Sequence, residues 1–184
     1  MAVCGCSFSR SPGGHVMMTF VAVKDDCLLA SLSQPKVTRK QSAGSSMMPS
    51  ITDSAKAFFA ACETGKGWEG CSAYCTPDAT FTAQAEPLAD IKTLHQYADW
   101  MKGLLTVLTD GSYEVKSFAT DAERNNVCAY GVFTGTHLAG GPCPPTGKTI
   151  KSDYVYVMQF DGGKIVHMTK IWHSGLALKE LGWA

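Results

Sequence analysis

Two segments of the chain carry apolar residues at the spacing of a helix. The first starts at Thr52 or Asp53, either of which is a good N-terminal cap, and Gly65 and Gly67 end it. The second starts at Asp90 and is the clearest helix of the sequence. The two apolar stripes are Ala55, Phe58, Phe59 and Cys62, and Ile91, Leu94, Ala98, Met101, Leu105 and Leu108. Both predict a helix that buries one face.

Beyond Gly111 the apolar pattern changes to a period of two, which is typical of strands. It predicts long strands, after a brief one near 79–83, at 112–121, 125–138, 148–160 and 164–173. The sequence Asp161-Gly162-Gly163 is a strong hairpin signal between the last two. Short helices are expected at 68–75 and 176–181. Because the helices come first and antiparallel strands follow, the pattern predicts an α+β fold rather than a doubly wound sheet.

Residues 1–50 differ from the rest of the chain. They contain nine serines, five basic and two acidic side chains, and no sustained helical or strand period. Two interpretations stay open: an organelle transit peptide, or a dispensable extension before a cytoplasmic domain. In either case we expect residues 1–50 to be disordered, residues 51–184 to form the domain, and a chain that starts at Met48 to fold as stably as the whole.

Charge and hydropathy exclude several classes of partner. Residues 51–184 carry eleven basic and fourteen acidic side chains, so they lack the basic stripe that a nucleic acid requires. The longest apolar run, 16–23, is far shorter than the roughly 20 residues of a membrane-spanning helix. Neither nucleic acid nor a membrane is therefore an expected partner.

The cysteines and histidines do not suggest a metal site. Of the eight cysteines, Cys71 and Cys75 lie four apart on one helical face, without a second ligand pair at zinc spacing. We expect free, reduced thiols that pack as small apolar groups. The segment 145–149 is similar to a phosphate loop, but its first glycine is missing and a strand follows it. No metal or cofactor is predicted.

Three segments resemble the nuclear transport factor 2-like superfamily, which includes ketosteroid isomerases and SnoaL-like polyketide cyclases. They are Cys75-Thr76-Pro77-Asp78-Ala79-Thr80-Phe81, the hairpin from Val157 to Ile165, and Ile171-Trp172-His173 followed by Leu176 to Gly182. The resemblance spans residues 51–184. It implies N-terminal helices packed on a strongly curved, mostly antiparallel sheet, as a cone-shaped α+β barrel with a pocket at one end.

The departures from the family limit the chemistry. The resemblance puts Phe58 or Phe59, Ala83 and Tyr156 where ketosteroid isomerases carry a tyrosine, an aspartate base and an aspartic acid. Steroid isomerisation by that mechanism is therefore not expected. SnoaL-like cyclases have an acidic residue at the position of His173. A histidine there could shuttle a proton near neutral pH.

The last two strands supply the candidate site. Val166, Met168, Lys170 and Trp172 share one face by parity, and the resemblance puts the Met and Trp positions on the pocket side. Tyr154 and Tyr156 have the matching parity on the neighbouring strand. A buried lysine can have a depressed pKa or form a Schiff base. The alternative is a β-bulge that shifts the register and leaves Lys170 in solvent.

These residues receive hypothetical roles. Tyr156 would be an oxyanion donor, with the pKa of its phenol lowered by the cation beside it, and Lys170 an electrostatic anchor. His173 would be the acid and base, paired with Asp153, although a structural histidine is the alternative. The substrate-binding candidates are Trp100, Tyr97, Tyr154, Met168 and Trp172. For Tyr97 and Trp100, which lie on the second predicted helix, the alternative is a place in the hydrophobic core.

Two functions remain open. The first is a cofactor-independent SnoaL-like enzyme that cyclises, isomerises, hydrates or dehydrates a small apolar oxygenated molecule, such as a polyketide, a steroid or an aromatic. The second is a non-catalytic ligand-binding or dimeric scaffold domain of the same fold. Whether the chain is an enzyme is left open. We also expect a homodimer through an apolar outer sheet face formed by Val155, Val157, Ile165, Thr169 and Ile171.

Overall fold

The computed structural model describes residues 49–184. Within them, four α-helices and five strands follow one another along the chain. The helices are α1 Ile51–Glu63, α2 Gly67–Cys71, α3 Leu94–Val107 and α4 Ser174–Leu181. The strands are β1 Cys75–Ala83, β2 Ser112–Asp121, β3 Asn126–Thr136, β4 Thr149–Asp161 and β5 Lys164–Trp172. The predictions for the first 48 residues lie outside the described part of the chain.

Both long helices begin at a residue other than the predicted one. The cap of α1 is Ser50, whose side chain accepts a hydrogen bond from the backbone of Asp53, so the prediction of Thr52 or Asp53 is wrong. The α3 helix begins after Thr93, which forms a capping box with Gln96. Asp90 cannot start this helix because the next two residues run past β1, where Lys92 accepts a hydrogen bond from the backbone of Phe81.

The five strands form one open sheet in the order β1-β5-β4-β3-β2. The pair β1 and β5 is parallel, and the other three pairs are antiparallel. The helices and this mixed sheet confirm the predicted α+β fold, although the sheet does not close into a barrel. Its two edges are β1 and β2.

A β-bulge fixes which side chains of β5 face inward. The register between β4 and β5 shifts between the pairs Gln159–His167 and Phe160–Ile165, so Val166 is the extra residue. Because the bulge precedes Met168, the rest of β5 keeps its inward parity. On its other side the bulge turns Ile165 inward, where it is fully buried. The prediction that Ile165 belongs to the outer face is therefore wrong.

The first helix packs its aromatic face against the inner face of the sheet. The Phe59 ring stacks on Tyr154 at 5.9 Å between ring centres and also contacts Tyr156, Tyr113 and Phe118. These contacts hold the end of α1 over β4, and the last residue of α1 therefore lies beside the tyrosines of that strand.

The described residues carry no assembled metal site. Five cysteines are described, and all are free. Cys71 ends α2 and Cys75 begins β1, so the prediction that they share one helical face is wrong. No group of three or more His, Cys, Asp or Glu side chains in residues 49–184 could hold a metal ion. No helix of this part of the chain is long and apolar enough to cross a membrane.

Candidate active site

A cavity of about 510 Å³ lies between α3, α4 and the inner face of the sheet. Its wall is mostly apolar, formed by Trp100, Met101, Leu104, Phe133, Ile150, Trp172, Leu178, Leu181 and Trp183. Four polar side chains also line it: Glu63, Ser152, Tyr154 and Lys170. A concave apolar space with a few converging polar groups is the usual form of a small-molecule site.

The amine of Lys170 is enclosed by aromatic rings. The side chain is 7% exposed, and its Nζ atom lies 5.0–5.8 Å from the centres of five rings. These rings belong to Tyr97, Trp100, Tyr154, Tyr156 and Trp172. The strand register explains the placement, because Lys170 is directly opposite Tyr156 and Trp172 is directly opposite Tyr154.

A chain of hydrogen bonds joins Lys170 to Glu63 through two phenols. Lys170 Nζ donates to the Tyr97 hydroxyl at 2.8 Å, and the hydroxyls of Tyr97 and Tyr156 lie 2.6 Å apart. Tyr156 in turn donates to Glu63 Oε1. Since the Tyr156 proton is directed at the carboxylate, Tyr97 is the donor to Tyr156. The four residues form one directed relay from the amine to the carboxylate.

Glu63 is the last residue of α1 and is only 2% exposed. Burial raises the pKa of its carboxyl group, while the charge of Lys170 and the hydrogen bond from Tyr156 act in the opposite direction. Burial lowers the pKa of Lys170, and Glu63 acts against that shift. Both groups are therefore held closer to neutrality than they would be in water.

Tyr154 lines the cavity, but its hydroxyl oxygen is buried. That oxygen has no hydrogen-bond partner among the described residues. The position opposite on β3 is Gly131, and a Cβ atom there would lie 2.8 Å from the Tyr154 hydroxyl oxygen. The glycine thus leaves the space that this hydroxyl occupies.

The expected acidification of Tyr156 is wrong. Burial, followed by the charge of Glu63, raises the pKa of this phenol well above its ordinary value. Lys170 does not bond to it directly, because the amine donates to Tyr97 instead. Tyr156 is fully buried and its hydroxyl is bonded to Glu63 and Tyr97, so it reaches the cavity only through those partners.

His173 and Asp153 do not form the expected pair. His173 caps α4, where its Nδ1 accepts a hydrogen bond from the backbone of Leu176. The exposed carboxylate of Asp153 accepts one from the Tyr130 hydroxyl at 2.7 Å. Asp153 has the outward parity of β4, His173 follows the last residue of β5, and neither lines the cavity. His173 turns away from the cavity because α4 begins directly after β5 and uses this side chain as its N-terminal cap.

The five substrate-binding candidates divide into two groups. Trp100, Tyr154 and Trp172 line the cavity. Tyr97 is fully buried behind them, where it stacks on Phe81 at 4.4 Å between ring centres and accepts the hydrogen bond from Lys170. Met168 is also fully buried, and it is a core residue opposite Met158.

Sequence reasoning missed Glu63. It lies four residues after Phe59, so it continues the apolar stripe of α1 on the same face of the helix. That spacing was the available signal, because a carboxylate on a buried helical face needs a partner.

The fold and the cavity together define the class of protein. Helices packed on an open, mostly antiparallel sheet around an apolar cavity form the nuclear transport factor 2-like cone fold. Residues 55–168 match the model of the SnoaL-like domain, and the chain belongs to that family. The resemblance seen in the sequence is therefore confirmed.

Solved structures share the fold at low sequence identity. AclR from Streptomyces galilaeus, described as a candidate hydroxylase, is 21% identical, with 73% of this chain and 85% of that chain covered and a TM-score of 0.59. IdmH from Streptomyces antibioticus, described as a candidate polyketide cyclase, is 18% identical, with 72% and 98% covered and the same TM-score. TerC, crystallised with polyporic acid, is also 18% identical, with 72% and 98% covered and a TM-score of 0.56. No curated protein sequence matches the chain significantly.

Proposed function

We propose that the cavity binds a small apolar molecule with a carbonyl or phenol oxygen and catalyses proton transfer next to that oxygen without a cofactor. One observation carries the proposal: Glu63 and Lys170 line the same apolar cavity and are joined behind its wall by two phenols. An acid–base group and a cation in a largely dry cavity are the components of enolate chemistry.

The donors favour an oxygen-bearing ligand. Lys170 lines the cavity and uses one of its N–H groups on Tyr97. The other N–H groups can donate to a ligand oxygen and stabilise the negative charge that develops there when a neighbouring C–H is deprotonated. The names of IdmH and the polyporic acid complex of TerC support a flat, oxygenated ligand for this chain too.

Glu63 takes the role of the base. Tyr156 donates to Oε1, so Oε2 is left for the proton of the ligand. A carboxyl group whose pKa burial has raised is a better general base near neutral pH than an exposed one. Tyr97 and Tyr156 then position Glu63 and pass protons to it. Cyclisation, isomerisation and dehydration all contain such a step, whereas His173 and Asp153 have no part in it.

Exchange of an enolisable C–H group tests the proposal. We expect the protein to accelerate the exchange of the α-protons of 2-tetralone with D₂O, followed by proton NMR. Glu63→Gln should lower the accelerated rate by about 10²-fold or more, the usual share of a general base. The exposed Glu180 on α4 offers a matched control, and Glu180→Gln should exchange at the parent rate. Equal rates for the Glu63 variant and the parent would contradict the role of Glu63.

A ligand-binding or scaffold domain that dimerises without catalysis is the second candidate. It is favoured by the outer face of the sheet, where Ile171 is 60% exposed directly opposite Val155. Val157 and Thr169 are the next opposed pair and are also partly exposed. If 2-tetralone binds but no exchange is accelerated, this second function is the correct one.

A further inference from the structure

The relay between Lys170 and Glu63 can move protons without exchange with solvent. If Lys170 passes a proton to Tyr97, Tyr97 passes one to Tyr156 and Tyr156 passes one to Glu63, each phenol ends with the proton count that it had. The amine and the carboxyl group are then both neutral. The hydrogen bonds already point in this direction along the whole chain.

The surroundings of the relay bring that neutral state close in free energy to the charged one. Among the described residues Lys170 takes part in no ion pair, so no carboxylate holds its proton directly. Both ends are almost completely buried, and two separated buried charges carry a large desolvation cost. The aromatic rings stabilise an ammonium group, but this attraction is smaller than the cost of removing the charge from water.

A neutral amine beside a neutral carboxylic acid is the combination that imine formation requires. We propose that Lys170 is a nucleophile that forms a covalent imine with an aldehyde or ketone in the cavity, with Glu63 as the acid of this step. This inference rests on the proposed function, since the ligand must enter the same cavity. It goes further in adding covalent chemistry and a ligand class, the aromatic carbonyl compounds.

The step balances without a further reactant. The lone pair of Lys170 Nζ attacks the carbonyl carbon, a C–N bond forms, and Glu63 gives its proton to the oxygen. The new ammonium returns a proton to Glu63 through Tyr97 and Tyr156. Glu63 then protonates the carbinol oxygen, which leaves as water as the C=N bond forms, so the nitrogen is left as a protonated imine and Glu63 as its carboxylate. When the nitrogen returns this proton to Glu63 through Tyr97 and Tyr156, one carbonyl compound and one amine have given one imine and one water.

Reductive trapping on the unaltered protein tests the imine. The protein is incubated at neutral pH with 2-naphthaldehyde and sodium cyanoborohydride, and its peptides are mapped by mass spectrometry. We expect the peptide that contains Lys170 to gain the mass of the aldehyde less one oxygen atom, ahead of peptides with exposed lysines such as Lys151. Acetaldehyde, which gains little from apolar walls, should show no such preference.

Two variants separate the roles. Lys170→Met should lose the cavity label and keep the slow surface labelling, while Lys151→Met should label as the parent does. Glu63→Gln keeps the amine but lacks the acid, so labelling of Lys170 should slow by about 10²-fold. Labelling of Lys170 at the parent rate in the Glu63 variant would overturn the role of Glu63.

Binding of 2-naphthalenemethanol, the matched alcohol, separates this inference from the proposed function. It is followed by tryptophan fluorescence, because Trp100, Trp172 and Trp183 line the cavity. If the alcohol binds and the aldehyde labels Lys170 no faster than exposed lysines, the imine is overturned and the binding function stands. If neither compound enters the cavity, both proposals are contradicted.

Discussion

Lys170 Nζ donates a hydrogen bond to the hydroxyl oxygen of Tyr97 at 2.8 Å, and this is the only hydrogen bond that the amine makes within the described chain. A buried cation is thereby bonded to a neutral group, while the nearest compensating carboxylate, Glu63, is reached through two phenols. This arrangement leaves the remaining N–H groups of Lys170 for a ligand. It also makes the stability of the domain depend on both ends of the relay.

Removing one end of the relay should cost stability, and removing both should restore it. Lys170→Met leaves Glu63 buried without a cation, so we expect a loss of about 3 kcal/mol in the free energy of unfolding, the low end for a broken buried pair. The double variant Glu63→Gln with Lys170→Met removes both charges and should unfold within about 1 kcal/mol of the parent or above it. Urea unfolding at neutral pH measures both values. If the free-energy losses of the two single substitutions simply add in the double variant, Glu63 and Lys170 are not coupled.

The titration of Glu63 should make stability depend on pH. Burial raises the pKa of this group in the folded state above its unfolded value of about 4.3, so the folded chain retains a proton that the unfolded chain releases. The contribution of Glu63 to the free energy of unfolding therefore falls as the pH rises from about 4.3 through the folded-state pKa. Glu63→Gln lacks this fall. We expect the variant to gain stability relative to the parent as the pH rises from about 4.3 through the folded-state pKa of Glu63, and a constant difference would contradict the raised pKa.

Gly131 should be intolerant of a side chain. A Cβ atom there would lie 2.8 Å from the Tyr154 hydroxyl oxygen and 3.1 Å from the ring of Phe59, which is itself buried. Gly131→Ala should therefore displace Tyr154, lower the free energy of unfolding by about 1–3 kcal/mol and weaken ligand binding. Gly140, beside which a Cβ atom meets nothing within 4 Å, is the matched control. Equal stability of the two alanine variants would show that Tyr154 is free to move.

Parity, together with the family resemblance, predicted most of the inner face. Alternation along β4 and β5 puts Tyr154, Tyr156, Lys170 and Trp172 on one side, and the hairpin signal sets their register, because a period of two leaves only two choices. The fold followed from the order of helices and strands. The bulge at Val166 could not be predicted, since nothing in the alternation distinguishes an extra residue from a paired one.

The chemistry was harder to predict because it depends on contacts between distant elements. Glu63 and Tyr156 are 93 positions apart in the sequence. Only the packing of α1 on β4 brings Glu63 to the site. His173 carried a plausible chemistry, but a local competitor, the cap of α4, binds its Nδ1 atom. The pKa of Tyr156 was assigned from one neighbour, and burial together with Glu63 reversed its direction.

The outer sheet face should form a dimer. Ile171 is 60% exposed at the centre of an apolar strip that it shares with Val155 and Val157. We expect sedimentation at micromolar concentration to show a dimer for the parent and a monomer for Ile171→Glu, since a buried unpaired charge at this position is costly. Lys151→Glu, a change at an exposed position near the start of β4, should leave the dimer intact. A monomeric parent would contradict the prediction.

Ligand binding at Lys170 is the most direct test of the whole account. Titration of the parent, Lys170→Met and Lys151→Met with 2-naphthol, followed by tryptophan fluorescence and with folding checked by circular dichroism, compares a cavity lysine with an exposed one. A hydrogen bond to a charged group contributes about 1.5–3 kcal/mol, so Lys170→Met should weaken binding about tenfold or more. Lys151→Met should bind as the parent does. Indistinguishable affinities for the parent and a folded Lys170→Met would contradict the placement of the ligand at Lys170.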